Sequence, residues 1–203
     1  MVETIPAPSV LLASASPRRR ELLDQIGVPY RVLPADIDES AQAEEAPGPY
    51  VLRIASEKVM AVAAHRKPGE IILGADTAVV WDQHMLGKPE GDAGARAMLR
   101  MLSGRTHQVF TGVCVLSPVD DLETRLNISQ VSFAELADEW IDAYVATGEP
   151  LDKAGAYGIQ GWAGSQIERV QGSYSSIMGL PLYETARLLA AAGLRLPQIP
   201  RRD

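Results

Sequence analysis

The chain has 203 residues, of which 46% are hydrophobic, and a formal net charge of −7. This length suits one domain spanning residues 1–203, and the hydrophobic fraction is sufficient for a sizeable core. The acidic balance excludes a generally basic surface, so we expect no polymeric nucleic acid as a partner. No apolar stretch is long enough to span a bilayer, so we expect no membrane contact.

The first predicted strand and helix bring three arginines together. Residues 9–12 have the pattern of a short buried strand, Ser16 is the expected N-cap and Pro17 the first helical residue. Arg18–Arg20 therefore lie in the first turn, where the helix dipole and free N–H groups already create a positive potential. Clustered cations are unfavourable there unless an anion joins them, so we predict a site for phosphate, best filled by a polyphosphate. The alternative is that these side chains point into solvent or pair with acids such as Glu21.

The remaining elements alternate between strands and helices. Strands are predicted over residues 30–33, 71–81, 108–116, 124–133 and 166–170. Helices are predicted over residues 50–64, 93–102, 135–147 and 181–192. Residues 82–84 are expected to form a turn, and the short connection after residue 116 predicts an antiparallel hairpin. This order predicts an α/β fold whose sheet has antiparallel portions, with a frayed tail from Arg195.

Asp76 is the first candidate catalytic residue. It follows the apolar run Ile71-Ile72-Leu73 and two small residues, so we expect its carboxylate at the mouth of the sheet. A hard divalent cation or an attacking water could be held there. The alternative is a carboxylate that caps a turn. Glu39, in the acidic loop 36–39, is a weaker candidate for the metal because such loops are usually only solvated.

Two lysines and two segments of small residues complete the candidates. Lys58 and Lys88 could neutralise phosphate oxygens, although most lysines are surface residues without such a role. Residues 152–161 and 172–174 combine small residues with isolated polar side chains, as expected where the backbone must approach a ligand.

The histidines and the cysteine provide no metal signature. His65, His84 and His107 are scattered without a close ligand pair, so we interpret them as surface or loop residues. Cys114 is the single cysteine and has no partner for an intramolecular disulfide, which fits a reducing compartment. The N-terminal residues lack basic residues before their short hydrophobic run, unlike a secretory signal. We therefore expect a cytoplasmic protein.

Together, these segments resemble the Maf family of nucleoside triphosphate pyrophosphatases. The resemblance covers nearly the whole chain and rests on Ser14–Arg19, Gly74–Thr77, Gly87–Pro89, Leu102–His107, Asp152–Gly155, Gly172–Tyr174 and Gly179–Pro181. Residues 176–178 differ from the usual family sequence, and we attach only packing significance to that difference. The resemblance implies an α/β fold with a mixed sheet, flanking helices and two lobes around a nucleotide-binding cleft, as in Maf and ITPase-like proteins.

The resemblance also implies an activity, which is the metal-dependent cleavage of a nucleoside triphosphate to the monophosphate and pyrophosphate. It implies a cytoplasmic enzyme that commonly forms homodimers. Asp76 would be the catalytic carboxylate and, with Glu39, would hold Mg²⁺ or Mn²⁺. The implied substrate-binding residues are Ser14, Arg18, Arg19, Lys58, Thr77, Lys88 and Gln160.

Gln160 bears on the choice of base. Gly158-Ile159-Gln160-Gly161 resembles the family branch that hydrolyses dTTP and UTP, whereas the branch acting on 7-methyl-GTP has Glu at this position. A glutamine amide donates and accepts hydrogen bonds, which matches the O4 and N3–H edge of uracil or thymine, while a carboxylate only accepts. We therefore predict a dTTP/UTP pyrophosphatase, with modified pyrimidine triphosphates as further candidate substrates.

Two alternatives to this function remain open. One is a 7-methyl-GTP pyrophosphatase, and the other is a non-catalytic nucleotide-binding regulator of cell division and septum formation. Asp76 favours turnover over the second alternative, because a pure binder gains little from a carboxylate that faces a polyanion.

Overall fold

A seven-stranded mixed sheet forms the centre of the molecule. The computed structural model describes residues 9–196. Its strands are β1 (Val10–Leu12), β2 (Tyr30–Val32), β3 (Ile71–Trp81), β4 (His84–Leu86), β5 (Thr106–Leu116), β6 (Leu122–Phe133) and β7 (Ile167–Gln171). Its α-helices are α1 (Pro17–Gln25), α2 (Pro47–Val62), α3 (Gly91–Leu102), α4 (Asp138–Ala146), α5 (Tyr174–Met178) and α6 (Leu182–Ala191).

The strands follow the spatial order β2-β1-β3-β5-β6-β7, and β4 also pairs with β3. The pairs of β1 with β2 and with β3 are parallel, whereas β3 with β5, β5 with β6 and β6 with β7 are antiparallel. The predicted mixed sheet with flanking helices is therefore confirmed, as is the predicted hairpin, which is formed by β5 and β6. No helix within residues 9–196 combines the length and the apolar character needed to cross a bilayer.

Four of the strands and α-helices differ from the sequence prediction, and one of them is α2, which begins at Pro47, three residues before its predicted start. His84 does not belong to the turn but begins β4, because Asp82 and Gln83 alone make the turn with φ values of 46° and 66°. Helix α4 begins at Asp138, later than predicted, since the Leu136 N–H donates to the Ser103 hydroxyl and keeps the preceding chain along the sheet. The short helix α5 was not predicted. The predicted fraying of the C-terminal tail concerns mainly residues 197–203, which lie outside the described residues.

Apolar side chains pack on both faces of the sheet. The larger core lies on the face that carries α1, α3, α4 and α6, and its fully buried side chains include Leu23, Leu73, Leu99 and Tyr144. The opposite face is covered by α2, and its core consists of Leu11, Ala13, Ala55, Val59, Val62, Ile72, Cys114 and Leu116. The alternation of side chains along β3 supplies residues to both cores.

Helix α2 lies unusually close to the sheet because two glycines face it. A Cβ atom at Gly74 on β3 would stand 2.5 Å from the Ala55 carbonyl oxygen, and one at Gly112 on β5 would stand 2.5 Å from the Val51 carbonyl oxygen. A real Cβ would not tolerate such distances from a backbone atom. This close approach places Lys58 of α2 directly beside Asp76, two residues after Gly74 on the same face of β3.

We predict that Gly74→Ala destabilises the protein by about 1–3 kcal/mol, because the added methyl group must push α2 away from β3. Chemical denaturation measures the change in the free energy of unfolding. The control is Gly94→Ala in α3, where the nearest atoms are 3.6 Å from the new Cβ. That control should be neutral or stabilising by up to about 1 kcal/mol, since alanine favours helix more than glycine does. Equal stability of Gly74→Ala and the native protein would contradict the proposed role of Gly74.

Candidate active site

A cleft of about 670 Å³ brings the predicted site residues together. Its walls come from the β1–α1 turn, the acidic loop after β2, the segment before α3 and the segments around residues 152–160 and 177–179. The predicted residues that line it are Ser14, Arg18, Arg19, Glu39, Lys58, Asp76, Thr77, Lys88 and Gln160. Every site residue predicted from the sequence therefore lies in one cavity, although their roles stay predictions.

The cleft opens at a gap along one edge of β3. On that side β1 pairs with β3 only as far as Leu73, and β4 pairs with it only from Val79 onwards. The intervening segment of β3 has its strand partner β5 on the other side only. Asp76 and Thr77, whose side chains point to opposite faces of the strand, can therefore both reach the same cavity.

The prediction that Asp76 lies at the mouth of the sheet was wrong in detail. Asp76 is in the middle of β3, opposite Gly112 of β5, and reaches the cleft through the gap in the strand edge. The alternative that it caps a turn is also wrong, because no turn is present at this position. Asp76 is accessible from the strand edge because β1 pairs with β3 only as far as Leu73. The apolar run that precedes Asp76 in the sequence does not reveal where β1 ends.

Lys58 joins the two predicted metal ligands. Its Nζ atom lies 2.8 Å from Asp76 Oδ1 and 3.0 Å from Glu39 Oε1. The side chains of Lys58 and Asp76 are each 8% exposed, whereas that of Glu39 is 51% exposed. A buried charge needs a partner, so Lys58 and Asp76 are buried together as an ion pair. The three groups together carry one net negative charge.

The loop that carries Glu39 is fastened to α2 by residues that the sequence analysis did not identify. The Tyr50 hydroxyl donates to the Glu39 carbonyl oxygen at 2.9 Å, and Arg53 Nη2 donates to the Ser40 carbonyl oxygen at 3.1 Å. Arg53 also forms a bidentate pair with Glu45 and lowers the pKa of that carboxyl to about 2. Burial, with the charges of Asp76 and Glu39, raises the pKa of Tyr50 to about 12, so Tyr50 remains a hydrogen-bond donor.

Of the three clustered arginines, two line the cleft. Arg19 is buried and donates from Nε to the Gly179 carbonyl oxygen at 2.9 Å and from Nη1 to the Ser14 hydroxyl at 2.8 Å. Burial lowers the pKa of the Arg19 guanidinium and the Asp76 charge opposes that shift. Arg18 is half-buried, whereas Arg20 is exposed and lies outside the cleft lining. Arg19 therefore ties the β1–α1 turn to the end of α5.

The predicted cap of α1 is only partly confirmed. Ser16 occupies the N-cap position and Pro17 begins the helix, but the Ser16 side chain makes no capping hydrogen bond. The Ser14 hydroxyl instead accepts from the Ser16 N–H at 3.2 Å as well as from Arg19. Ser14 thus organises the turn that faces the cleft.

One wall of the cleft is formed by residues 152–160, most of the segment of small residues that the sequence analysis singled out together with Gln160. Gln160 is exposed at the tip of a turn that the Gly161 N–H closes onto the Gly158 carbonyl oxygen at 3.0 Å. Lys153, Tyr157 and Ile159 also line the cavity. On the sheet, the Thr77 hydroxyl lies 3.1 Å from the Thr111 hydroxyl. Lys88 also lines the cleft and is exposed, and its neighbour Gly87 accepts a hydrogen bond from the Gly155 N–H at 3.1 Å.

The donor set fits a divalent cation that binds together with a polyphosphate. Glu39 and Asp76 both lie within 3.0 Å of one positive centre, the Lys58 ammonium group, so their carboxylates face a common point. Residues 9–196 contain no group of three or more His, Cys, Asp or Glu side chains that could hold a metal by themselves. Mg²⁺ is usually held by one or two carboxylates with substrate phosphates, and this requirement matches the two carboxylates present.

The family of the chain follows from sequence comparison. A family profile described as Maf-like protein matches residues 9–192, which include every residue of the cleft. The chain belongs to the Maf-like family.

The relatives of this Maf-like protein cover almost its whole length. A protein of Anaeromyxobacter dehalogenans (strain 2CP-C) is 54% identical over 194 residues, which cover 94% of this chain and 97% of the relative. One of Methylobacillus flagellatus is 51% identical over 189 residues, covering 93% and 94% of the two chains. One of Bacillus cereus (strain AH820) is 44% identical, covering 89% and 93%. Each of these relatives is named dTTP/UTP pyrophosphatase.

The interpretation of His107 as a surface or loop residue was wrong. This histidine is 2% exposed on β5, where strand alternation turns its ring into the core of the Maf-like fold. Its Nε2 atom lies 2.8 Å from the hydroxyl of Tyr157, a residue of the cleft, and burial lowers the pKa of the ring to about 4. His65 and His84 are exposed, as predicted.

The lowered pKa of His107 predicts a pH dependence of stability. Between pH 6.5 and about 4, His107 is protonated in the unfolded chain, where its pKa is 6.5, but stays neutral in the folded chain, where its pKa is about 4. The free energy of unfolding should therefore fall as the pH is lowered from 6.5 to 4, by up to about 1.4 kcal/mol per pH unit. Denaturation curves across this range measure the slope. His107→Gln should reduce it, whereas His84→Gln should leave it unchanged, and equal slopes in both variants would contradict the assignment.

Proposed function

We propose that this protein is a metal-dependent pyrophosphatase that converts dTTP and UTP to the monophosphate and pyrophosphate. The observation that carries the proposal is the buried Asp76–Lys58 pair in a cleft that also contains Arg18, Arg19 and Lys88. Several cations around one carboxylate suit a substrate that brings many negative charges and needs a proton acceptor. The names of the relatives support the same reaction.

The chemistry assigns separate roles to the carboxylate and to the cations. Water forms a bond to the α-phosphorus while the bond from that phosphorus to the bridging oxygen of the pyrophosphate breaks. Asp76 accepts the proton of the water, and the guanidinium and ammonium groups stabilise the charge that develops on the departing pyrophosphate. Lys58 balances the carboxylates in the free protein, which reduces their repulsion of the incoming triphosphate.

Asp76 and Glu39 are the residues that would hold Mg²⁺ or Mn²⁺. A bound divalent cation would neutralise phosphate charge and orient the phosphate chain. Tyr50 and Arg53 support this proposal because they hold the Glu39 loop against α2, so the second carboxylate is kept near the first.

Base selection is proposed to depend on Gln160, at the tip of its turn in the cleft. Its amide matches the O4 and N3–H groups of uracil and thymine, and modified pyrimidine triphosphates keep those groups when substituted elsewhere. Arg18 and Thr77, which also line the cleft, are the other residues proposed to influence the choice of base.

Resemblance to the Maf family further supports a cytoplasmic enzyme and a homodimer.

The reaction is tested by incubating the protein with UTP or dTTP and Mg²⁺ or Mn²⁺ and by identifying the products. We expect the monophosphate and pyrophosphate, and we expect EDTA to abolish turnover. Asp76→Asn keeps the shape of the side chain but removes its charge and basicity, so kcat should fall by roughly two orders of magnitude or more.

The matched control for this experiment is Asp82→Asn, an exposed turn residue outside the cleft lining. It should leave kcat unchanged, since asparagine also tolerates the positive φ of this position. Release of single orthophosphates with formation of the diphosphate would reject the proposed reaction. Binding of UTP without any hydrolysis would favour a non-catalytic regulator instead.

Gln160→Glu tests the proposed base contact. The substitution removes the donor for O4 and places an anion beside that oxygen, a mismatch that costs about 1 to 3 kcal/mol. The ratio of kcat/KM for UTP and dTTP to that for 7-methyl-GTP should therefore fall. Gln171→Glu, an exposed glutamine of β7 outside the cleft lining, should keep the native ratio. An unchanged ratio in Gln160→Glu would show that Gln160 does not contact the base.

A further inference from the structure

A carboxylate behind the cleft wall supports the turn that carries Gln160. Glu149 follows α4 and begins a short 3-10 segment, Glu149–Asp152. Its Oε1 atom accepts a hydrogen bond from the Tyr144 hydroxyl at 2.8 Å, and its Oε2 atom accepts one from the Trp162 N–H at 3.4 Å. Glu149 itself does not line the cleft, so it cannot contact a nucleotide there directly.

The turn is shaped around this carboxylate. A Cβ atom at Gly161 would overlap Glu149 Oε1 and stand 2.5 Å from its Cδ, so the carboxylate occupies the space that any side chain at Gly161 would need. At the other end of the turn, the Gly158 N–H donates to the Tyr144 hydroxyl at 3.2 Å. Both ends of the turn are therefore bonded to, or packed against, the Tyr144–Glu149 pair.

The pair is itself held firmly. Tyr144 is fully buried and its ring stacks on Trp140. Burial and the neighbouring Glu149 carboxylate raise the pKa of the Tyr144 hydroxyl, which keeps it protonated as a donor. Lys153 Nζ, from the cleft wall, donates to the Glu149 carbonyl oxygen at 2.7 Å. Helix α4, Glu149 and the cleft wall thus form one connected unit.

We infer that Glu149 is a positioning residue for base recognition, which together with Tyr144 holds the Gly158–Gly161 turn so that Gln160 meets the base in one orientation. This inference rests on the proposed function of Gln160. A recognition turn that is ordered before binding avoids the entropy cost of ordering it with the substrate. The loss of Glu149 should therefore weaken binding and selectivity for the base more than it slows the chemical step at Asp76.

The first test is Glu149→Gln, which keeps the size of the side chain but turns an N–H donor toward the Trp162 N–H. We expect KM for UTP to rise about tenfold, as for the loss of one hydrogen bond to a charged group, while kcat changes less than about threefold. The ratio of kcat/KM for UTP to that for 7-methyl-GTP should fall by about the same factor as KM rises. Glu168→Gln, an exposed residue of β7, is the matched control and should keep native values.

Tyr144→Phe is the second variant, because it keeps the buried ring and removes only the hydroxyl that links Glu149 to Gly158. As in Glu149→Gln, KM for UTP should rise and the ratio of kcat/KM for UTP to that for 7-methyl-GTP should fall. Native selectivity in both Glu149→Gln and Tyr144→Phe would overturn the inference. A fall in kcat with an unchanged KM would also overturn it, since that result indicates a role in the chemical step.

A double-mutant cycle shows whether Glu149 acts through Gln160. In the Gln160→Ala background, Glu149→Gln should cause no further loss of selectivity, because the side chain that it positions is already absent. Additive losses in the two backgrounds would contradict action through Gln160.

Hydrogen exchange separates this inference from the proposed function. The Trp162 amide should exchange about tenfold faster in Glu149→Gln than in the native protein, whatever reaction the protein catalyses. Absence of UTP hydrolysis by the native protein would reject the proposed function, whereas unchanged exchange at Trp162 would reject the support of the turn by Glu149.

Discussion

The close contact between α2 and the sheet is the constraint on which the candidate site depends. Gly74 and Gly112 remove the two side chains that would otherwise separate the helix from β3 and β5. Because the helix lies at this depth, the Lys58 ammonium reaches the Asp76 carboxylate and both groups can be buried as a pair. The Glu39 loop then completes the arrangement through its attachment to the same helix.

The sheet contributes the opening as well as the scaffold. A parallel strand that ends after three residues and an antiparallel strand that starts further along leave a short stretch of β3 accessible from one edge. Residues on both faces of that strand can then act on one substrate. The arrangement allows the residues proposed to bind the phosphates and those proposed to bind the base to come from distant parts of the chain, such as residues 14–19 and 152–160.

Local patterns predicted most elements and, together with the family resemblance, the candidate site residues, whereas long-range packing decided what could not be predicted. The arginines after β1 and the Gly-Ala-Asp-Thr segment of β3 can be recognised as candidate site residues from the few residues around them. All the predicted site residues line the cleft. His107 was misplaced because strand register, set by its pairing with Val131, decides its burial. Glu149 was not identified because its proposed role depends on contacts with Gly161, twelve positions away, and with Tyr144. The residues next to Glu149 in the sequence do not reveal these contacts.

Cys114 lies beneath α2, paired in register with Gly74, and burial raises the pKa of its thiol to about 11. The thiolate is the form that reacts with alkylating agents and oxidants. The cysteine is therefore unreactive while α2 remains packed against the sheet. Movement of α2 away from the sheet would expose the thiol and, in the same event, separate Lys58 from Asp76. The rate at which Cys114 becomes modified therefore measures how often Lys58 and Asp76 separate.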